Sequence, residues 1–190
     1  MTQRPEPDTA DRLIAAATPL FAARGFYGVS ISAVADELGI TKQALLHHFG
    51  SKEKLYSAVL SRIARRFEDA LGDESDIVAV FEAFYTYSMG QKDDLALIAR
   101  ELLDNEQRAD KAQRWFLQGF LQRLVDMAQV AKPDMSAARA LAEIYVMIGA
   151  INYYAISGPT LRNLFGPEAA TELDTRMPET LRDMAEARFR

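Results

Sequence analysis

The chain of 190 residues predicts an all-α protein in two parts: a small N-terminal unit of short helices and a larger helical remainder. Three observations point there. Apolar residues recur at helical spacing almost throughout, and strand-like alternation is nowhere sustained. Glycines 25, 39 and 50 punctuate the first quarter, so the helices between them span only about two turns each. Charge divides unevenly as well: residues 1–67 carry nine Lys/Arg against six Asp/Glu, while residues 68–190 carry thirteen against twenty-one. A net charge of −5 therefore hides a basic unit joined to an acidic one, and only the first unit suits a polyanion.

The elements follow in order. Residues 1–8 read as a disordered leader, polar and without the apolar core of a signal peptide. A first helix starts from a cap at Asp8 or Thr9, runs through Leu13, Ala17, Leu20 and Phe21, and ends at Gly25. Ser30 or Ser32 caps a second, which carries Ile31, Val34, Ala35 and Leu38 and stops at Gly39. Thr41 caps a third through His48, and Ser51 caps a fourth, which runs over about 51–71 and leads out of the unit. The polar run GDESD after Leu71 marks a boundary, which gives units of 9–56 and 72–190. Helices are expected near 76–90, 93–104, 109–131, 136–157 and 168–189, with a kink or a break at Pro178.

From Ile144 to Leu161 no charge appears for 18 residues, the lower limit of a membrane span. Asn152, Ser157, Gly158 and Pro159 interrupt that stretch, and a helix apolar all round is also what a doubly covered helix looks like. We read it as a helix buried on both sides, and no membrane partner is expected.

Residues 39–55, GITKQALLHHFGSKEKL, hold both histidines of the chain. Two short helices joined by a Gly turn match a helix-turn-helix, whose second helix enters the DNA major groove. Ala35 is small where the two helices must approach, and Leu45 is an apolar peg. The second helix offers Thr41, Lys42, Gln43, His47 and His48 as donors, and no carboxylate lies between Gly39 and Lys52. Donors reach base edges and phosphates, whereas carboxylates would be repelled. Adjacent helical residues point about 100° apart, so His47 or His48 can face the groove squarely, not both.

Other chemistries find little support. Absent cysteine removes disulfides, thiolate catalysis and Cys-based zinc sites. The histidines lack the spacing of metal ligands, so no metal and no cofactor is expected. No nucleophile motif or phosphate loop occurs, and Asp93, Asp94, Asp183 and Glu186 read as helix-start or solvated charges, so no enzyme is expected. A helical binding module that never touches DNA is the competing reading, and a helical enzyme comes third. In the acidic part, Phe81, Phe84, Tyr85, Trp115, Phe116, Phe120 and Tyr145, with Ile148 and Asn152, read as an aromatic core or as a mostly apolar ligand cavity with a few polar groups. Ile151, Leu173, Met177, Leu181 and Met184 form the apolar stripes expected to close a four-helix dimer interface.

The segments LFAARGF, ISAVADELGI and HHFGSKEKL, at their spacings within residues 9–56, resemble the tetracycline-repressor (TetR) family of transcriptional regulators. That resemblance implies a homodimer, most simply a repressor released from a palindromic double-stranded operator by a small-molecule inducer, and the polar start of the chain reads as that of a cytoplasmic protein. It places Thr41, Lys42, Gln43 and Ala44 at bases and nearby phosphates, His47 at the DNA backbone and Lys52 at a phosphate-binding helix start. Ser32 falls where some members reach a base. Leu46 stands where members usually carry Tyr, so an apolar group, suited to a thymine methyl, takes the place of a hydroxyl.

Overall fold

A computed structural model describes residues 9–103 and 116–190. It contains eight helices among the described residues: α1 (Thr9–Gly28), α2 (Ile31–Glu37), α3 (Lys42–Phe49), α4 (Lys52–Leu71), α5 (Ile77–Gly90), α6 (Lys92–Leu103), α7 (Gln118–Ala131) and α8 (Ala137–Phe189). The expected leader and Trp115 lie outside the described residues, as does most of the segment before α7 for which a helix is expected. Two helices contain breaks at glycines with positive φ. Gly25 interrupts α1 (φ 68°), and Gly166 divides α8 (φ 84°) into a proximal limb, 137–165, and a distal limb, 167–189. Pro178 neither ends nor divides the distal limb, which stays helical through it.

The chain separates into two compact units, residues 1–63 with 96–112 and residues 64–95 with 113–190. In the first, Leu13, Ala17 and Phe21 of α1 are buried, as are Val34 and Ala35 of α2, Leu45 of α3 and Leu55, Val59 and Ile63 of α4. Tyr56 meets Phe21 and Phe26 edge-on at 4.8 and 5.1 Å, and its hydroxyl donates to Glu101 Oε2 at 2.6 Å. Arg100 donates to the carbonyls of Ala22 and Ala23 at 2.6 and 2.7 Å, just before the Gly25 break. A guanidinium at the C-terminal carbonyls of a helix satisfies groups that have no partner within it and complements the helix dipole.

In the second unit, Phe67, Phe84 and Phe120 cluster at 5.3–5.8 Å between centroids. Both α5 and α7 pack along α8. Asp76 caps α5 by accepting the Val78 amide at 3.0 Å and pairs with Arg190 at 2.9 Å. The Val78 amide is the main cause that holds the Asp76 carboxyl below its usual 3.8, and Arg190 assists against partial desolvation. A carboxyl lowered by folding adds stability above its unfolded value and loses it as pH falls through the lower folded value. Asp76→Asn keeps an acceptor at the cap but not the charge. The gap in melting temperature between wild type and this variant should therefore close as pH drops from neutral to below 3.8. A gap independent of pH would refute the linkage.

Candidate nucleic-acid interface

Three side-chain caps and one glycine turn set the geometry of the short helices. Ser30 Oγ accepts the Ala33 amide at 3.0 Å, Thr41 Oγ1 the Ala44 amide at 3.2 Å, and Ser51 Oγ the Lys54 amide at 3.3 Å. Between α2 and α3 the Ile40 amide donates to the Ala35 carbonyl and the Gly39 amide to the Asp36 carbonyl, both at 3.0 Å. That pair of bonds is the Schellman closure, which needs a left-handed residue at its glycine, and Gly39 supplies φ 64°. The closure turns the chain sharply enough for α3 to pack on α2, with Val34, Ala35 and Leu45 sealed inside.

With Leu45 inward, helical geometry puts Gln43 and His47 on the opposite, outermost face of α3, one turn apart. Ala44 and Leu46 form the shoulders, and Lys42 and His48 lie nearer the base. Thr41, Lys42, Gln43, Ala44, His47 and His48 are all exposed, as is Ser32 on α2, while Leu46 is half-buried. The imidazoles of His47 and His48 stand edge-on, 6.1 Å apart between centroids. Lys52, the first residue of α4, rests its ammonium over the Phe26 ring at 4.3 Å. Desolvation there lowers its pKa from 10.5, and Glu53 opposes the shift. Two further groups do not follow from the sequence pattern. Lys54 is exposed, and its Nζ would come within 3.6 Å of a Cβ built on Gly50. Tyr27 is an exposed aromatic carrying a phenol. Both lie outside the reading helix, where the sequence offers no periodic signal for them.

This geometry arms a short helix with neutral donors and cations and leaves it free on its outer side. Residues 13–59 match the family model described as bacterial regulatory proteins, tetR family. Over those residues the chain is similar to the TetR family of regulators. The transcriptional activator FasR of Mycolicibacterium smegmatis is 32% identical over 91 residues, covering 44% of this chain and 42% of FasR. The transcriptional repressor NicS of Pseudomonas putida is 26% identical over 159 residues, covering 77% and 74%. The chain thus spans about two fifths of FasR but about three quarters of NicS. Among solved structures, SCO4942 of Streptomyces coelicolor shares the fold, with a TM-score of 0.74 at 20% identity over 96% of this chain and 98% of that one.

The expected ligand residues separate. Phe81 and Tyr85 line a cavity of about 620 Å3 between α5 and the distal limb of α8. Phe84 and Phe120 lie in the aromatic core with Phe67. Phe116 and Ile148 are half-buried. Tyr145 is 50% exposed on the outside of α8, away from any interior. Asn152 keeps a buried Oδ1 with no hydrogen-bond partner among the described residues.

The expected dimer residues separate too. Ile151 is 0% exposed and Leu181 5%, both inside the protomer. Leu173, Met177 and Met184 are half-buried on one flank of the distal limb. The open apolar face belongs to other residues: Leu141, Tyr145, Val146, Tyr153 and Ile156 of the proximal limb are all exposed.

Proposed function

We propose that the chain is a homodimeric, cytoplasmic transcriptional regulator that binds a palindromic operator through α3 and leaves it when a small apolar or aromatic molecule binds the second unit. The observation that carries this reading is the outer face of α3, where Gln43 and His47 stand opposite buried Leu45 in a stretch, Gly39 to Lys52, that contains no carboxylate. Relatives named as an activator and as a repressor accompany the family match. Repression is the simpler case, since a bound dimer need only occlude a promoter. In a population-shift mechanism, ligand binds best to a dimer whose reading helices are wrongly spaced for DNA.

Fluorescence anisotropy with the DNA upstream of the chain's own gene tests it. Saturable binding that outlasts excess unrelated DNA is expected; a salt-sensitive signal indifferent to sequence would overturn the reading. Two substitutions separate the roles. Gln43→Ala should cost roughly 1–3 kcal/mol on the operator and relax base preference at one position per half-site. Lys52→Ala should weaken specific and unrelated DNA alike and reduce the salt slope by about two per dimer, one for each phosphate the lysine no longer neutralises. Equal loss of specificity in both variants would remove the distinction between base and phosphate contacts.

A further inference from the structure

Beside the cavity between α5 and the distal limb of α8, fixed contacts join the two helices. Phe81 stacks on Phe189 at 5.5 Å, Glu82 pairs with Arg182, and Asp76 pairs with Arg190 at 2.9 Å. At about 620 Å3 it falls within the size range of small-molecule sites. Val78, Phe81 and Leu181 give it an apolar wall.

The polar groups around that wall are unevenly spent. Arg182 is the one cation among its lining residues, and it is committed to Glu82. The Thr86 hydroxyl donates to the Glu82 carbonyl at 3.0 Å, and the Thr175 hydroxyl to the Thr171 carbonyl at 2.9 Å, so both oxygens retain only acceptor capacity. Pro178 has no N–H, which leaves the Asp174 carbonyl without its helical donor. Glu179 is exposed at the cavity and makes no ion pair among the described residues. Arg182 Nε and the two threonine hydroxyls are engaged and the Tyr85 phenol remains as a neutral donor, while Glu179 is the lining carboxylate without an ion pair among the described residues.

The site also lies off the half-buried apolar flank of the distal limb. Thr175 and Glu179 stand two residues beyond Leu173 and Met177, about 200° further round the helix.

We propose that this cavity is the effector site and that its ligand is an apolar, preferably aromatic, molecule ending in an ammonium group held at Glu179. This rests on the regulator reading and gives its effector a chemical class. A cation complements the unpaired carboxylate, an N–H donor complements the acceptors, and a ring covers Val78, Phe81 and Leu181. A carboxylate ligand would meet Glu179 with like charge.

Calorimetry on the full chain with naphthylmethylamine, naphthylmethanol and naphthoate tests the assignment, with operator binding followed in parallel. The amine should bind about fivefold tighter than the alcohol, a preference suited to a solvent-accessible charge pair, and naphthoate should bind weakest. Glu179→Gln should abolish the preference without changing alcohol affinity. Thr175→Trp should exclude all three, and both variants should bind operator normally when unliganded, which shows that they fold. The amine should release wild-type protein from operator. Equal affinity for amine and alcohol, a preference that survives Glu179→Gln, or no binding of any probe would overturn the cavity assignment while leaving unliganded operator binding intact. Amine binding that leaves the operator complex untouched would overturn the effector role. Failure of the unliganded protein to bind operator would instead defeat the regulator reading, and calorimetry would still report on the cavity's selectivity.

Discussion

Asp94→Ala should destabilise the protein by about 3 kcal/mol, the lower end of the range for breaking one side of a buried ion pair. Asp94 is 1% exposed, accepts from Arg66 Nη2 at 2.6 Å and also accepts the Tyr87 hydroxyl. Burial first, and the bond to Asp94 second, raise the Tyr87 phenol so that it stays a donor. Without the carboxylate, the guanidinium and the phenol both lose their acceptor, and Arg66 Nε already has no partner among the described residues. The Arg66 side chain remains 31% exposed, so water recovers part of the loss, which is why the lower end applies. Tyr87→Phe removes one neutral donor and should cost about 1 kcal/mol. Urea unfolding with an unchanged slope measures both. A loss below about 1 kcal/mol for Asp94→Ala would show that the pair is close to neutral against an apolar replacement.

The sequence makes the reading helix legible because its signals are local. Ser30, Thr41 and Ser51 act as caps within three residues of the amides they bind, and Gly39 closes its turn within five residues. Burial of Leu45 alone then fixes which way Gln43 and His47 point. Long-range pairing leaves no such trace. Arg100 and Glu101 look like surface charges of an amphipathic helix, yet they fasten to Ala22, Ala23 and Tyr56, 45 to 78 residues away. Aromatics pose a similar problem: Phe81 and Phe84 are one turn apart, but one lines a cavity and the other fills the core. Between Ile144 and Leu161, where every residue is uncharged, the period of the pattern cannot separate the inner face from the outer. That is why the pattern alone puts Ile151 at the interface and Tyr145 in the interior, whereas Ile151 is buried in the protomer and Tyr145 is exposed. Gly166 carries no warning either, since a lone glycine before a proline also fits a simple kink.

Charging the outer face of the proximal limb should separate the proposed dimer and, with it, the operator complex. Tyr153 and Ile156 are 72% and 41% exposed in the protomer, on a face shared with Tyr145 and Val146 and free of charge from Ile144 to Leu161. This 53-residue helix is long and apolar enough over one window to cross a membrane, but its inner side packs on α5 and α7. Exposed apolar area on such a scale marks an interaction surface, and a second copy meets it through a twofold axis that needs no second kind of patch. Tyr153→Glu with Ile156→Glu places four like charges across that axis. The double variant should sediment as a monomer and keep its helical circular dichroism, because neither side chain contributes to the protomer core. Operator affinity should fall on the order of 100-fold or more, since each half-site then binds without the effective concentration supplied by its partner. Ile151→Glu is the contrasting case: a carboxylate forced into a position with no exposure should unfold the protomer instead of releasing it intact. A dimer that survives the double variant, or a wild-type protein that sediments as a monomer, would place the assembly surface elsewhere. Dissociation of a folded protomer by Ile151→Glu would show that the inner and outer faces of this limb have been exchanged.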